Sequence, residues 1–399
     1  MSGNEPLLIV KFDWNPFDLF VEFTLEQSDI RSKARAGVIR TAHGEIQTPA
    51  FMPVGTNATV KALTAREVWE TGARMVLANA YHLYLRPGTE AIAEAGGIHR
   101  FANWDGSVLT DSGGYQVYSL SDLRKTTDDG VHFKSHLDGS AHFFTAEKVI
   151  DIERAIGPDI MMQFDECPPS NAERQIVERA VQRTVAWAGR SMERFSGTNA
   201  MHGYEQSLFL IVQGGTHRDL RESCAKELVA MNAEGYAIGG LAVGEPNEVM
   251  YEVTDWTTDI LPAEKPRYLM GVGTPADLLE SIARGVDMFD CVLPTRNARN
   301  GQLFTRDGKI NMRNANWKND FSMIDTETDS YASRNFSKSY LAHLFNASEI
   351  LGLTLATMHN IAFYQQLVRD ARAKIVDGTF VEWKESVLRR LNTVHTTSV

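Results

Sequence analysis

The chain has very few of the features that mark exported or membrane proteins. It contains 3 cysteines among 399 residues, too few for a disulfide framework, which favours a reducing, cytoplasmic location. No stretch approaches the roughly 18 consecutive apolar residues of a membrane span. The first residues, Met1–Pro6, include no basic side chain, and Asp13 and Asp18 interrupt the apolar residues after them, so we expect no signal peptide.

Positive charge is also in short supply. A formal net charge of −11 argues against non-specific affinity of the whole molecule for nucleic acid. Residues 291–319 are the exception, and we call them the basic island. They carry one acidic residue, Asp307, and six basic ones: Arg296, Arg299, Arg306, Lys309, Arg313 and Lys318. Such an island fits either a solvated surface or a contact with a polyanion, and composition alone does not choose between them.

What the chain does have is a long alternation of short apolar runs with amphipathic stretches, beginning near Phe23. This pattern indicates βα units and a parallel sheet. Eight runs at this chain length favour an α/β fold of the (β/α)8 TIM-barrel type over an open doubly wound sheet. After the fourth run, Ser170–Glu173 reads as the capping box of a helix. The eight runs are Thr48–Val54, Met75–Asn79, Ser107–Thr110, Asp159–Phe164, Ser207–Val212, Tyr236–Ile238, Tyr268–Met270 and Val286–Phe289.

Polar or glycine-rich groups follow six consecutive runs of this series. Barrel enzymes carry their sites on the loops at the carboxyl ends of the strands, so these groups are predicted to converge on one mouth. Each alone is an ordinary turn signal, and their agreement is the stronger argument. The groups are Asp111–Tyr115, Asp165–Cys167, Gln213–Gly215, Gly239–Leu241, Gly271–Gly273 and Asp290.

Asp111 and Asp290 are the candidates for chemistry at this mouth. Two carboxylates from different strands can divide the work, one attacking a carbon and the other moving a proton. Asp165, Gln213 and the backbone at Gly240 offer donors and acceptors suited to the edge of a flat heterocycle.

Three further residues near the mouth have two readings each. Tyr115 and Met270 could sandwich the faces of a heterocycle, and core packing explains either residue equally well. Cys167 is more simply read as a small buried apolar residue.

Seven segments carry a family resemblance: Thr48–Thr56, Asn79–Leu83, Leu109–Val117, Phe133–Ser140, Gly239–Glu245, Tyr268–Pro275 and Met288–Gly301. In these segments the chain resembles the bacterial tRNA-guanine transglycosylases, or queuine tRNA-ribosyltransferases. The resemblance runs from about Phe23 to about Lys384. It implies a pentosyltransferase that replaces guanine at the wobble position of GUN-anticodon tRNAs with 7-aminomethyl-7-deazaguanine, a step of queuosine biosynthesis, and a homodimer.

The resemblance also implies roles for individual residues. Asp290 would be the nucleophile that forms a covalent ribosyl-aspartate, and Asp111 would be the proton acceptor. Base-binding positions would be Ser112, Gly113, Gly114, Tyr115, Asp165, Cys167, Gln213, Gly239, Gly240, Leu241 and Met270. Positions that bind tRNA would be Gly271, Val272, Gly273, Thr274, Pro275, Ala276, Asp277, Thr295, Arg296, Asn297, Ala298 and Arg299.

Val243 bears on which base is inserted. Together with Cys167 it resembles the bacterial pocket, whereas the eukaryotic pattern has a smaller residue near Val243 that makes room for the cyclopentenediol of queuine. The sequence therefore predicts a preference for the aminomethyl base.

The chain departs from the family at its structural zinc. Three ligand cysteines are replaced by Thr328, Ser330 and Ser333, and only the histidine, His359, remains. Neutral hydroxyls bind zinc poorly, and one imidazole cannot hold a structural metal. We predict no zinc, no other cofactor, and a hydrogen-bonded or solvated remnant at these four positions. Because the family dimerises partly through this region, the dimer is the property placed in doubt.

The predicted organisation has three parts. Residues 1–22 form an appendage, residues 23–384 form the barrel with a helical former zinc subdomain at 300–375, and residues 385–399 form a tail. Two other functions stay open, a barrel glycosidase and a non-catalytic tRNA-binding partner subunit. The basic island counts against the first, and the retained aspartates count against the second.

Overall fold

The computed structural model describes residues 21–120 and 124–393. The predicted appendage, residues 1–22, lies outside the described residues except for Val21 and Glu22, and so do residues 394–399 of the tail. The described strands are β1 Glu22–Ser28, β2 Arg35–Thr41, β3 Gly44–Thr48, β4 Ala50–Pro53, β5 Met75–Asn79, β6 Ser107–Asp111, β7 Arg124–Thr126, β8 Val131–Lys134, β9 Ala141–Phe144, β10 Ile160–Met162, β11 Ser207–Val212, β12 Gly235–Ile238, β13 Arg267–Leu269, β14 Met288–Cys291, β15 Gln302–Thr305 and β16 Gly308–Asn311.

The helices alternate with the strands through most of the chain. They are α1 Ala65–Glu70, α2 Ala80–Leu85, α3 Thr89–Glu94, α4 Ile98–Ala102, α5 Gly114–Leu120, α6 Ala146–Ile156, α7 Arg174–Ser196, α8 Arg218–Ala230, α9 Asn247–Ile260, α10 Pro275–Ile282, α11 Leu293–Arg299, α12 Tyr331–Asn335, α13 Lys338–Asn346, α14 Ile350–Val376 and α15 Phe380–Thr393, with a 3₁₀ turn at Ala315–Asn319. None of the helices within the described ranges combines the length and apolar character needed to cross a membrane.

Eight parallel strands form one sheet in the order β4-β14-β13-β12-β11-β10-β6-β5. A parallel bridge between Val54 and Leu77 joins the two ends of this sheet, and the Gly55 N–H donates to Leu77 O at 2.6 Å. The sheet therefore closes into a barrel, which confirms the predicted fold. Each of the eight predicted apolar runs overlaps one of these strands, with bounds that differ by up to two residues at several ends. Burial on both faces explains why the runs are apolar rather than alternating, as in β11, where all six residues are buried.

An antiparallel sheet of β1, β2 and β3 covers the amino-terminal end of the barrel. Ile39 and Ile46 of this sheet pack with Met52, Leu109 and other side chains of the barrel interior. With this end closed by apolar contacts, the opposite end, where the strands terminate, is left for a site.

The carboxyl-terminal part supplies the helical subdomain. The hairpin β15–β16 and helices α12 to α14 enclose a small core that includes Leu303, Ile324 and Leu341. Helix α14 continues from this core onto the barrel, where Tyr364 and Leu367 join the main hydrophobic core. The subdomain is thus fastened to the barrel by one continuous 27-residue helix.

Two local predictions differ from the structure. Helix α7 begins at Arg174 with Glu173 as its N-cap, so the predicted capping box does not form. The Ser170 hydroxyl instead donates to the carbonyl oxygen of Val243, at 3.2 Å, and so binds a loop distant in sequence. In addition, the predicted boundary at residue 384 falls inside helix α15.

Candidate active site

The carboxyl ends of the barrel strands surround one cavity of about 540 Å³. Asp111 comes from β6 and Asp290 from β14, while Asp165 and Gln213 follow β10 and β11. All the base-binding positions proposed from sequence line this cavity, together with both candidate catalytic aspartates. The convergence expected from strand ends is therefore present in the fold.

Asp290 is held with one carboxylate oxygen occupied. Its Oδ1 accepts hydrogen bonds from the Tyr268 hydroxyl at 2.6 Å and from the Gly271 N–H at 2.8 Å. Burial raises the pKa of Asp290, and these two hydrogen bonds oppose that rise by stabilising the carboxylate. No hydrogen bond between described residues reaches the other oxygen, Oδ2.

Asp111 has a different environment, which favours its protonated form. Burial, followed by the negative charge of Asp290, raises the pKa of Asp111 to about 8. Its Oδ2 accepts from the Asn79 side chain at 2.5 Å and from the Gln116 side chain at 3.2 Å, while Oδ1 is buried with no hydrogen-bond partner in the described part of the chain. Two neighbouring carboxylates in different environments can take different roles, one as a nucleophile and the other as a proton carrier.

Asp165 and Gln213 form a hydrogen-bonded pair in the cavity wall. The Gln213 side-chain amide donates to Asp165 Oδ2 at 2.7 Å, and the Ser112 hydroxyl donates to Oδ1 at 3.3 Å. Burial raises the pKa of Asp165 to about 6. Gln213 Oε1 is buried and has no hydrogen-bond partner among the described residues. An unpaired acceptor is costly when buried, and a ligand that brings a donor would satisfy this one.

Glycines keep the wall close to these polar groups. Gly240 has a φ of +66°, and a Cβ there would lie against the Gln213 side chain. A Cβ at Gly114 would come within 2.6 Å of Asp165 O. Larger residues at either position would displace the pair or block access to it.

The structure distinguishes between the two interpretations given above for Tyr115, Met270 and Cys167. Tyr115 is 49% exposed while lining the cavity, so core packing does not explain it. Met270 is partly buried at the rim, and it also packs against the core of the barrel interior. Cys167 is buried in the cavity wall, and burial raises the pKa of its thiol to about 12, so it remains a small neutral group.

The two segments proposed to bind tRNA are only partly accessible. In 271–277, Val272, Pro275 and Asp277 are buried, and Asp277 accepts from the Tyr251 hydroxyl at 2.6 Å. In 295–299, Thr295 and Ala298 are buried as well. These five side chains pack within the loops, although Val272 and Asp277 also line the cavity, and Gly273 is buried as well. The accessible members of the two segments are Gly271, Thr274, Ala276, Arg296, Asn297 and Arg299.

The basic island is smaller in the structure than in the sequence. Arg306 is buried and donates to Asp370 Oδ2 at 2.5 Å, so its charge is not offered to a ligand. Arg296 is exposed and lines the cavity beside Asp290. Arg299 has a buried Nη1 with no hydrogen-bond partner among the described residues. Arg296 is therefore the basic-island residue that lines the cavity.

The sequence alone indicated no role for three residues that support the site, Tyr268, Asn79 and Arg221. Tyr268 and Asn79 contact the candidate catalytic aspartates. Both are polar residues at strand positions of the predicted barrel, and this is the sequence feature by which they could have been found. Arg221 is fully buried and donates to Val212 O, Gly239 O and Gly215 O at 3.0, 2.8 and 2.7 Å, thereby fixing the loops that carry the base-binding groups. Nothing in its helical sequence context signals that task.

The four positions of the family zinc site lie together and are buried. The His359 ring accepts at Nδ1 from the Ser333 hydroxyl, at 2.9 Å, and donates from Nε2 to Phe304 O, at 2.7 Å. Burial lowers the pKa of His359, so the neutral ring fits these partners. The Thr328 hydroxyl donates to Asp325 Oδ2 at 2.7 Å, and Ser330 caps helix α12. Three hydroxyls and one imidazole already paired in this way do not fit a structural zinc.

Comparison with known proteins gives one consistent result. Residues 29–393 match the family model described as queuine tRNA-ribosyltransferase. The chain is 55% identical over 370 residues to the queuine tRNA-ribosyltransferase of Caldanaerobacter subterraneus subsp. tengcongensis, covering 93% of this chain and 97% of that protein. It is 53% identical over 373 residues to that of Desulforamulus reducens, covering 93% and 99%. For the protein of Symbiobacterium thermophilum the identity is 52% over 370 residues, covering 93% and 91%.

Proposed function

This chain belongs to the queuine tRNA-ribosyltransferase family, and on that premise we propose how its own residues carry out the reaction. The enzyme is a pentosyltransferase that exchanges guanine in tRNA for a queuosine precursor base. The observation that carries the mechanism is the pair of buried carboxylates, Asp290 and Asp111, in one cavity with different hydrogen-bond partners.

In the first half-reaction Asp290 Oδ2 attacks the anomeric carbon of the ribose while the bond to guanine breaks. Asp111, with its raised pKa, gives its proton to the departing guanine and becomes a carboxylate. The product is a covalent ribosyl-aspartate. Asp290 loses its negative charge in that step, so the two aspartates do not carry full charge at the same time.

In the second half-reaction the incoming base displaces Asp290 from the same carbon. Asp111 takes the proton that the incoming base loses, which returns both aspartates to their starting states. Two displacements at one carbon retain its configuration, as in retaining glycosidases.

Recognition of the base is assigned to Asp165, Gln213 and the backbone at Gly240. The unpaired Gln213 Oε1 supports this, because it leaves an acceptor for an amino or ring N–H of a guanine-like base. Val243 and Cys167 line the same cavity, which supports a preference for the small 7-aminomethyl-7-deazaguanine. Equal incorporation of queuine and the aminomethyl base would refute the preference, and a Val243→Gly variant that accepts queuine better than the wild type would support it.

The RNA substrate is proposed to be tRNA with a GUN anticodon, exchanged at its wobble position. Arg296 and Arg299 would contact phosphates of the anticodon loop while the target base enters the cavity. The wobble position supplies the unpaired base that such an approach needs, since a single-stranded loop lets one nucleotide turn outward.

A homodimer is proposed through the helical subdomain. Several large apolar side chains there are exposed, among them Phe321 at 78% and Ile350 at 76%. Exposed apolar groups gathered on one region are typical of a protein interface. Light scattering on the purified chain tests this. A dimer in the wild type that becomes a monomer with Phe321→Glu and Ile350→Glu would support the assignment, and a monomeric wild type would refute it.

No zinc is proposed at Thr328, Ser330, Ser333 and His359. The hydrogen bonds of these residues support the proposal because they use the groups that a metal would need. The test compares chelator-washed wild type with a variant in which Thr328, Ser330 and Ser333 are all changed to Cys. We expect the variant to retain about one equivalent more zinc after washing than the wild type, and equal zinc contents in the two proteins would contradict the proposal.

The mechanism is tested with Asp290→Asn, incubated with unmodified tRNA and labelled guanine. We expect no incorporation and no covalent protein–tRNA adduct on denaturing gels. Asp105→Asn is the matched control, since Asp105 is exposed outside the cavity. Exchange at wild-type speed by folded Asp290→Asn would overturn the mechanism. Incorporation by the wild type without cleavage of RNA also separates the enzyme from a glycosidase and from a non-catalytic subunit.

A further inference from the structure

A second cluster of ionisable side chains lies at the end of the barrel opposite the mouth. His43 is in the turn between β2 and β3, His99 is in α4, and Asp159 immediately precedes β10. One ring nitrogen or carboxylate oxygen from each residue lies within 4.8 Å of those of the other two. Asp165 follows β10, whereas Asp159 precedes it, so the cluster is separate from the catalytic cavity.

The two rings share one carboxylate. His43 Nδ1 is 2.7 Å from Asp159 Oδ1, and His99 Nε2 is 3.3 Å from Asp159 Oδ2. The imidazole rings stack, with centroids 3.5 Å apart and planes inclined by 12°. Asp159 and His99 are buried, while 21% of the His43 side chain is exposed.

The neighbours of His99 determine which of its ring nitrogens carries the proton when the ring is neutral. Its Nδ1 faces Trp104 O at 3.3 Å, and because a carbonyl only accepts, the proton of a neutral His99 ring belongs on Nδ1. Nε2 then points a lone pair at Asp159 Oδ2, which already accepts from the Val108 N–H at 2.8 Å. Consistent with this, His99 Nε2 is a buried nitrogen that makes no hydrogen bond within the described part of the chain. Two facing lone pairs repel each other, so the arrangement calls for a cation between them.

We propose that His43, His99 and Asp159 form a binding site for a divalent transition-metal ion. Two imidazole nitrogens and one carboxylate oxygen are donors that suit Zn²⁺, Co²⁺, Ni²⁺ or Cu²⁺, whereas Mg²⁺ and Ca²⁺ prefer oxygen ligands alone. A bound ion uses the free Nε2 of His99 and neutralises the buried carboxylate in one step. A fourth position stays open to water, as in other sites with three protein ligands.

The geometry needs a modest adjustment to close on a metal. Zinc–nitrogen bonds of about 2.0–2.1 Å in a tetrahedron put ligand atoms about 3.3 Å apart. The widest spacing here, within 4.8 Å, must therefore contract by about 1.5 Å at most, and the 2.7 Å between His43 Nδ1 and Asp159 Oδ1 must widen where both atoms are ligands. His43 can supply this movement, because it is partly exposed and lies in a hairpin turn. His99 and Asp159 are held in place by burial. The ion would thereby tie the β2–β3 turn, α4 and the start of β10 together.

The test uses chelator-washed full-length protein and Co²⁺, whose visible absorption reports nitrogen ligation, with Zn²⁺ as competitor. We expect about one equivalent to bind, and His43→Gln and His99→Gln each to weaken binding by at least about tenfold, the lower limit for disturbing a metal's surroundings. His343→Gln is the matched control, because His343 is exposed on α13. Binding also raises the unfolding temperature of the wild type and of the control.

Three results would overturn the proposal. The wild type could bind Co²⁺ no more tightly than the His43→Gln His99→Gln double variant, which would mean that a proton rather than a metal lies between His99 and Asp159. His343→Gln could lose as much affinity as the ligand variants, which would mean scattered surface binding. The ligand variants could also bind as well as the wild type. Should His99→Gln fail to fold, His43→Gln decides alone, and guanine exchange by that variant is expected at the wild-type rate.

Discussion

Replacing Tyr268 with Phe tests how the nucleophile is kept ionised. The Tyr268 hydroxyl is fully buried and donates to Asp290 Oδ1 at 2.6 Å. Hydrogen bonds to charged groups contribute about 1.5–3 kcal/mol, and about 1.4 kcal/mol corresponds to one pKa unit. Loss of the hydroxyl should therefore raise the pKa of Asp290 by about 1–2 units, because the stabilised form is the carboxylate.

The consequence appears in the pH profile of kcat/KM for guanine exchange. Asp290 acts ionised, so the acidic limb should move upward by about 1–2 pH units, with a loss of about 10–100-fold on that side. The alkaline limb reports Asp111, whose pKa is raised to about 8 and which must be protonated for the first step. The pH range of maximal kcat/KM should therefore narrow from its acidic side. The two apparent pKa values in the profile belong to the aspartate pair and not to either residue alone.

The matched control is Tyr236→Phe. Tyr236 is also buried, but its hydroxyl interacts with the backbone of Ala233 and Val229, away from both aspartates. It should lower the stability and leave the pH profile in place. An acidic limb that stays at its wild-type position in Tyr268→Phe, or moves equally in the control, would refute the reasoning.

Three other predictions each concern one residue: a buried carboxyl group, a glycine in the cavity wall and an exposed arginine. Glu153 is fully buried with a raised pKa, so its contribution to stability is complete below its unfolded pKa, near 4.5, and is lost as pH rises toward the folded value. Glu153→Gln should therefore gain unfolding free energy over the wild type by up to about 1.4 kcal/mol per pH unit in that window, and a difference independent of pH in urea titrations would contradict this. Gly240→Ala should raise KM for the base about tenfold or more with little change in kcat, because its Cβ meets the Gln213 side chain; an unchanged KM in steady-state assays would exclude that contact. Arg296→Gln should weaken tRNA binding and reduce the salt slope of the affinity by about 1, whereas Lys226→Gln, at an exposed position of α8, should do neither in the same titrations.

The barrel was predictable because its strands are buried on both faces. That burial leaves uninterrupted apolar runs such as Ser207–Val212, and polar or glycine-rich groups follow six of the runs at the mouth. Asp111 and Asp290 could be found in this way without coordinates. The start of α7 could not, because Ser170 is taken up by the loop at Val243, a contact between segments far apart in the chain.

The lost zinc site shows the same division. The replacement of three thiols by Thr328, Ser330 and Ser333 is legible in the sequence, and ligand chemistry alone predicts its effect on zinc. Which hydrogen bonds these three residues and His359 form cannot be read from the sequence. The partners of His359, Ser333 and Phe304, come from separate elements, and only packing brings them together.

The sequence by itself determined the fold class, the family and the two aspartates, because apolar periodicity and residue chemistry are properties of the chain. Only the tertiary structure decided which oxygen of Asp290 accepts hydrogen bonds and that Asp111 holds its proton near neutral pH. It also decided that Arg306, a member of the basic island, is buried. Each of these depends on burial and on neighbours distant in sequence. Protonation and accessibility are set by that surrounding, and the order of residues does not encode them locally.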